Sequence, residues 1–297
     1  DSLFQNKAAD YAFEPGSVTK VLTMAAAINV GAVTPDTTYH NSGCVQIADA
    51  KICNSEPDRV YDGETLSMTN VLKYSLNTGA VFALQQIGGG QINSTAKNTL
   101  YDYFHNHYRL DQASGIEQEN AGQGMIYKPT DVQGGAVNYA NMTFGQGFQT
   151  TMVQELSALS AIVNGGTYYQ PHLVAGTLDD DNKLNAKTYQ PVQSGVVKSS
   201  TAASIRSMME TTYQRQANGY HVGAKSGTAQ IYDPTTGKYS TTLYTGTYMG
   251  FGADASDTPR YDIMVRVDGT GLFGYQSAQP IFGALSNWII NYEGISK

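Results

Sequence analysis

The sequence has no run of about 18 consecutive apolar residues, so no stretch of it reads as a membrane-spanning helix. Basic runs are missing too. Eighteen Lys and Arg stand against 25 Asp and Glu, a net charge of −7, which argues against nucleic acid and anionic membrane surfaces as partners. Histidines number five. The close pair His105 and His107 would point in different directions on a helix, and no carboxylate or cysteine completes a metal set around it. The turn Gly145-Gln146-Gly147 completes neither a dinucleotide fingerprint nor a Walker pattern, so a phosphate role is unsupported. Glu117, Glu119 and Asp131 read as solvated groups, and Asp179-Asp180-Asp181 as a turn tip. The chain opens at Asp1 with no initiator methionine or signal peptide, as an excised domain or a mature fragment does.

Cysteine is as scarce. Cys44 and Cys53 flank Val45 to Ile52, which reads as two short alternating strands around a turn at Ala48–Ala50. Two readings stand. Cross-strand cysteines of such a hairpin can form a disulfide, which suits an extracytoplasmic compartment, or remain reduced thiols; the strand register decides.

What the sequence does have is a globular composition over 297 residues, with 41% apolar and 10% aromatic residues, ample for a sizeable core. Residues 1–16 read as loop. The stretch Glu14-Pro15-Gly16-Ser17-Val18-Thr19-Lys20 then opens a helix over 17–30 whose following residues, Val21 to Ile28, are apolar almost all round. Such a helix belongs in a core. Its first turn nevertheless carries Ser17 and Lys20, at i and i+3 on one face. A lysine desolvated at the positive end of a helix loses its charge readily, and a neutral amine beside a hydroxyl is a general base beside a nucleophile. A serine there also serves as an ordinary cap.

Residues 31–64 read as a surface excursion containing the cysteine hairpin. A helix over Thr69–Lys73 breaks at Tyr74-Ser75-Leu76-Asn77-Thr78-Gly79, and a new helical pattern starts at Ala80. On that turn Ser75 and Asn77 can project into one cleft, although both residue types are common helix caps. Further helices are expected over Asn98–His107, Thr151–Val163 and Ser199–Tyr213, and a short hairpin over Tyr168–Leu178. The last third alternates. Strands are expected at His221–Ile231, Leu243–Gly252 and Tyr261–Asp268, then an apolar helix from Pro280 to Tyr292. Short turns between the strands imply an antiparallel sheet with helices packed on it, an α+β fold. Lys225-Ser226-Gly227-Thr228 lies on the first strand, where a glycine marks close approach to the backbone.

Three polar motifs thus occur in one order: S-x-x-K at the head of an apolar helix, S-x-N on an interhelical turn, and K-S-G-T on a C-terminal strand. The set is that of penicillin-binding proteins and serine β-lactamases. Phe13 to Lys20, Ser75 to Gly79, Phe144-Gly145-Gln146-Gly147 with Asn164-Gly165-Gly166, Lys225 to Gln230, Gly250-Phe251 and Pro280-Ile281-Phe282 together resemble the transpeptidase domain of class B, high-molecular-weight penicillin-binding proteins over nearly the whole chain. The resemblance implies one catalytic domain over 1–297, mostly helical over 17–220 and completed by sheet strands and a C-terminal helix over 221–297. Only 16 residues precede Ser17, so the N-terminal strands of the family's five-stranded sheet are expected to be missing from this chain. So are the family's pedestal and membrane anchor.

The activity implied is acyl transfer on peptidoglycan stem peptides ending in D-Ala-D-Ala. Ser17 would be the nucleophile and Lys20 its base. Ser75 would relay the proton, Asn77 would hold the substrate amide and help fix Lys20, and Lys225 would supply positive charge. Backbone N–H groups of Ser17 and Thr228 would form the oxyanion hole, with Ser226, Gly227 and Thr228 along the substrate. β-Lactams would acylate Ser17. The resemblance implies no metal or organic cofactor, an extracytoplasmic location, and cell-wall synthesis proteins of the membrane as partners. Three rivals share the motifs: a D,D-carboxypeptidase, a β-lactam sensor and a serine β-lactamase. The last needs a deacylating glutamate, and Glu117-Gln118-Glu119-Asn120 lacks the proline and leucine expected around it.

Overall fold

The computed structural model describes residues 5–119, 121–213, 220–233, 235 and 237–296. In chain order these form helices α1 (Lys7–Asp10) and α2 (Lys20–Asn29); strands β1 (Thr38–His40), β2 (Cys44–Ile47), β3 (Ala50–Cys53) and β4 (Thr65–Ser67); and helices α3 (Met68–Lys73), α4 (Asn77–Ile87), α5 (Ser94–Asp102), α6 (Ala136–Met142) and α7 (Met152–Val163). Four short strands follow, β5 (Thr167–Tyr169), β6 (Gly176–Leu178), β7 (Leu184–Ala186) and β8 (Pro191–Ser194), then helix α8 (Ser199–Thr212). The chain ends in three long strands and two helices: β9 (His221–Asp233), β10 (Lys238–Ala253), β11 (Pro259–Thr270), α9 (Gly274–Ser277) and α10 (Gln279–Tyr292).

The three long strands make one antiparallel sheet in the order β11-β10-β9, as their short connections require. The expected α+β architecture is therefore present, and the described residues supply three strands of the central sheet. One face of the sheet carries α10, with Phe282 and Tyr248 buried between them. On the other side lies the larger core, built around α2, which packs on α3, α4, α7 and α8. Every residue from Lys20 to Ala27 is buried, which is what an all-round apolar helix needs.

Several expectations shift. The segment read as loop over 1–16 contains α1, while residues 1–4 lie outside the described set. Ser17 does not cap an α-helix; it sits in a 3-10 turn, Gly16–Thr19, and α2 begins at Lys20. The helix after the Ser75 turn starts at Asn77, three residues early, because Thr78 and Gly79 are already buried in it. Helix α5 passes into a π turn over Tyr103–His107. There is no hairpin over Tyr168–Leu178: β5 pairs with β8 and β6 with β7. Alternation fixes a strand's faces but does not name its partner. The Asp179 turn tip is as expected, closed by Asn182 N donating to Asp179 O at 3.0 Å. His105 and His107 do turn apart, His105 to Asp111 and His107 to Asp102.

The cysteine hairpin forms in register, with Cys44 opposite Cys53, and the two are joined as a disulfide. That resolves the open choice in favour of the oxidised form.

Helix α7 carries two unusual carboxyl neighbours. Glu155, on the helix, is wholly buried and bonds Thr19 Oγ1 through Oε1 at 3.1 Å. Asp262, on β11, hides Oδ1. Neither Glu155 Oε2 nor Asp262 Oδ1 has a hydrogen-bond partner. Burial pushes the Glu155 carboxyl up to about 8, opposed by Thr19, and Asp262 up to about 6, opposed by the Ser160 hydroxyl. Folded chains therefore hold these protons more tightly than unfolded ones. The stabilisation is complete below the ordinary values near 4 and is lost as pH rises through about 6 and about 8. These two carboxyls are expected to lower the thermal midpoint by several degrees between pH 5 and pH 8.5. A Glu155→Gln/Asp262→Asn double variant should lose most of that slope, read by differential scanning fluorimetry.

Candidate active site

The site is assembled where α2, the α3–α4 turn and β9 meet. Gly16 makes the first junction possible. Its φ is +69°, a left-handed value suited to glycine. A Cβ there would lie 3.1 and 3.2 Å from the backbone O and N of Thr228. Gly16 N also donates to Gly145 O at 3.0 Å, and Glu14 accepts from Gly147 N at 2.8 Å. The Phe144–Gly147 turn thus braces the serine loop, which is what its glycines serve. Gly227 answers from the strand. A Cβ on it would meet Thr247 Oγ1 at 2.2 Å and Ser17 N at 3.2 Å, and Thr247 Oγ1 reaches past it to donate to Pro15 O at 3.0 Å. Close approach, as expected of a strand glycine, is the reason for it.

Ser75 reaches its place through the end of α3. Ser75 N donates to Leu72 O and Leu76 N to Val71 O, the paired bonds of a Schellman ending. The residue at that position takes a left-handed conformation, and here it is a serine with φ +58°. Non-glycine residues in that region carry local strain and concentrate at functional sites. The consequence is that both oxygens of Ser75 face Lys20.

Lys20 Nζ lies 2.9 Å from Ser17 Oγ and 3.2 Å from Ser75 Oγ, and also donates to Ser75 O. Lys225 Nζ lies 2.9 Å from Ser75 Oγ and 2.7 Å from Ser226 O. The four groups form a continuous chain: Ser17 hydroxyl, Lys20 amine, Ser75 hydroxyl, Lys225 amine. Both lysines are buried. Burial, and then the charge of Lys225, holds Lys20 well below the usual lysine range, with Asp58 opposing. Burial brings Lys225 down to about 8, again opposed by Asp58. The arrangement sets an amine whose hold on its proton is weakened by burial and by its neighbour's charge beside a second buried amine held down to about 8.

Ser17, Ser75, Asn77, Ser226 and Thr228 open together onto a cleft of about 430 Å³. Ser226 and Thr228 project to the cleft by the two-residue alternation of a strand. Thr228 Oγ1 accepts from Gly274 N at 3.0 Å, which leaves its own proton to donate. The expected contact between Asn77 and Lys20 is not made. Asn77 Nδ2 donates to Cys53 O at 2.9 Å, and the Ser75 carbonyl holds the lysine instead. Glu117 is far from this machinery: Leu173 N donates to it at 2.8 Å, and the Tyr189 hydroxyl and Lys187 also bind it, holding it down to about 2. Asn120 lies outside the described residues.

Sequence reading missed Asp58, Asn54, Tyr244 and Phe273, which also line the cleft. Asn54, Asp58 and Phe273 stand in loops and a 3-10 turn, and Tyr244 at a register shift within β10, where simple periodicity does not mark them.

The sequence profile of the penicillin binding protein transpeptidase domain matches residues 2–287. The chain belongs to the penicillin-binding protein transpeptidase family. It is 28% identical over 313 residues to the penicillin-binding protein PbpB of Mycobacterium tuberculosis, covering 99% of this chain and 43% of PbpB. To PenA of Neisseria flavescens, described as a probable peptidoglycan D,D-transpeptidase, it is 25% identical over 98% of this chain and 68% of PenA. Its fold is similar to the crystal structure of penicillin binding protein 3 from Mycobacterium tuberculosis complexed with aztreonam. That match has a TM-score of 0.84 and 25% identity, over 98% of this chain and 65% of the other. The chain therefore spans less than half the length of PbpB. No helix among its described residues is long and apolar enough to cross a membrane.

Proposed function

We propose that this penicillin-binding transpeptidase domain acts as a serine D,D-transpeptidase on peptidoglycan stem peptides. The observation that carries the reading is the continuous Ser17–Lys20–Ser75–Lys225 chain opening on the cleft. Ser17 Oγ attacks the carbonyl of the penultimate D-Ala, and Lys20 takes its proton. Backbone N–H groups of Ser17 and Thr228, from loop and strand segments packed against each other at Gly16 and Gly227, receive the oxyanion. Ser75 passes the proton to the departing D-Ala nitrogen. Asn77, anchored by Cys53, holds the donor amide. Lys225 with the Ser226 and Thr228 hydroxyls binds the terminal carboxylate. An amine of a second stem peptide then displaces Ser17 from the acyl-enzyme. β-Lactams take the donor's place. Residues 1–297 work as one catalytic unit, extracytoplasmic and tethered by other parts of a longer protein, through which it meets the membrane proteins of wall synthesis.

A class A β-lactamase would need a deacylating glutamate beside the acyl ester, and the described residues put neither Glu117 nor Glu119 in the cleft, whose carboxylate is that of Asp58. Exposure to benzylpenicillin followed by intact-mass and peptide mapping tests the proposal. The expected result is one adduct on the Ser17 peptide that persists for many minutes, with crosslinked product formed from a D-Ala-D-Ala donor and an amine acceptor. Rapid nitrocefin turnover without a lasting adduct would overturn it.

A further inference from the structure

Asp58 is the acidic residue that the proposed mechanism leaves unused, and it lines the same cleft as Ser17, Ser75 and Asn77. Its wall is built rather than loose. At one end Cys53 is tied by the disulfide and by the Asn77 bond. Asn54 beside it is buried, bonding Asn41 Oδ1 at 2.9 Å through Nδ2 and accepting from Thr78 N at 3.1 Å through Oδ1. At the other end Asn41 Nδ2 donates to Tyr61 O at 2.7 Å, and the Tyr61 ring stacks on Tyr74, next to Ser75, at 3.9 Å between centroids. Between these anchors a 3-10 turn, Glu56–Tyr61, presents Asp58.

Two features make this carboxylate unusual. It is only half-buried, and among the described residues no lysine or arginine makes an ion pair with it; the Ser55 hydroxyl donates to it. Its charge nonetheless reaches both Lys20 and Lys225, favouring their charged forms against burial. That opposes what the base Lys20 needs, so the carboxylate is not there to serve Lys20. It also helps Lys225 keep the charge that the mechanism uses, but that takes no oxygen open to the cleft; a carboxylate lining the cleft without a lysine or arginine paired to it among the described residues attracts a cation brought by the substrate.

We infer that Asp58, held by the Cys53–Tyr61 segment, forms a subsite for a primary ammonium group on the peptides that this domain joins. The inference rests on the transpeptidase reading above. The ammonium can come from two sources: a side chain of the donor stem peptide, or the amine of the acceptor. Asp58 only binds it. In the transfer itself the acceptor, having lost its ammonium proton to solvent, forms the N–C bond as the bond from carbon to Ser17 Oγ breaks, and its second proton returns to Ser17 through Lys20.

The experiment compares wild type with Asp58→Asn and Asp58→Ala in three assays. Acylation by a fluorescent penicillin, which has no ammonium, is the reference rate for each variant, so that any change passed on through Lys20 and Lys225 is divided out. Acylation by a D-Ala-D-Ala thioester donor with a free side-chain amine, against its N-acetylated twin, reads the donor source. The ratio of aminolysis to hydrolysis of the acyl-enzyme with an added amine reads the acceptor source. One of these two selectivities is expected to fall about fivefold in both variants, the size of a half-exposed ion pair. If both, taken relative to the penicillin rate, are unchanged, the subsite is wrong. If hydrolysis alone slows, Asp58 serves water and the inference also fails. Failure of the wild type to take up penicillin would instead strike the function proposed above.

Discussion

Replacing Ser17 by alanine is expected to abolish covalent labelling by a fluorescent penicillin, with no adduct by intact mass after an hour at saturating drug. The other motif hydroxyls are not placed to take over. Ser75 Oγ already lies between two amines, at 3.2 Å from Lys20 and 2.9 Å from Lys225, on a left-handed turn that fixes its direction. Ser226 and Thr228 stand on the strand that would hold the drug's carboxylate, not at the position of attack. The fold should survive, because the 3-10 turn is held by Gly16, Pro15 and Glu14 rather than by the serine side chain. A thermal midpoint within about 2 °C of wild type would separate lost chemistry from lost structure, since surface-like changes rarely exceed ±0.5 kcal/mol. An adduct mapped to Ser75 in this variant would remove Ser17 from its role.

How much of this was legible beforehand follows from the kind of signal each part carries. Helix α2 was readable because eight consecutive buried positions must be apolar or paired, and a lysine among them stands out. Strands β9 to β11 were readable from two-residue alternation and their short connections. The hairpin was readable as two alternating stretches around a turn, but not its register, which sets Ala50 opposite Ile47 and Cys44 opposite Cys53. Other features were not. The left-handed Ser75 arises from a helix ending whose usual glycine is absent. The β5–β8 pairing joins strands separated by another hairpin, a partner choice that local pattern does not encode. Asp58 enters the cleft because Asn41, Asn54 and Thr78 hold a loop against α4, and such polar networks depend on contacts across 24 and 37 residues. Glu155 carries no signal in the sequence that would mark it as buried, yet it lies behind the nucleophile's own turn, bonded to Thr19.

Replacing Lys20 by methionine is expected to slow penicillin acylation by roughly 10²- to 10⁴-fold, the range for losing a positioned general base. Methionine keeps the length of the side chain in a fully buried channel, so packing changes little. Arginine should not rescue the rate, because a guanidinium stays protonated and cannot accept the Ser17 proton. The pH profile follows from the two lysines. Wild-type acylation should rise with pH as Lys20 loses its proton, well below the usual lysine range, and should fall again above about 8 as Lys225 loses the charge that binds the carboxylate. The Lys20 contribution to stability should also rise with pH. A lysine whose folded value is depressed binds its proton better when unfolded, so its cost is full below the folded value and shrinks as pH rises toward 10.5. The midpoint of Lys20→Met relative to wild type should therefore be higher at pH 7 than at pH 10. Equal differences at the two pH values would mean that the amine is no more costly folded than unfolded, and then burial could not be what prepares it to take the serine's proton.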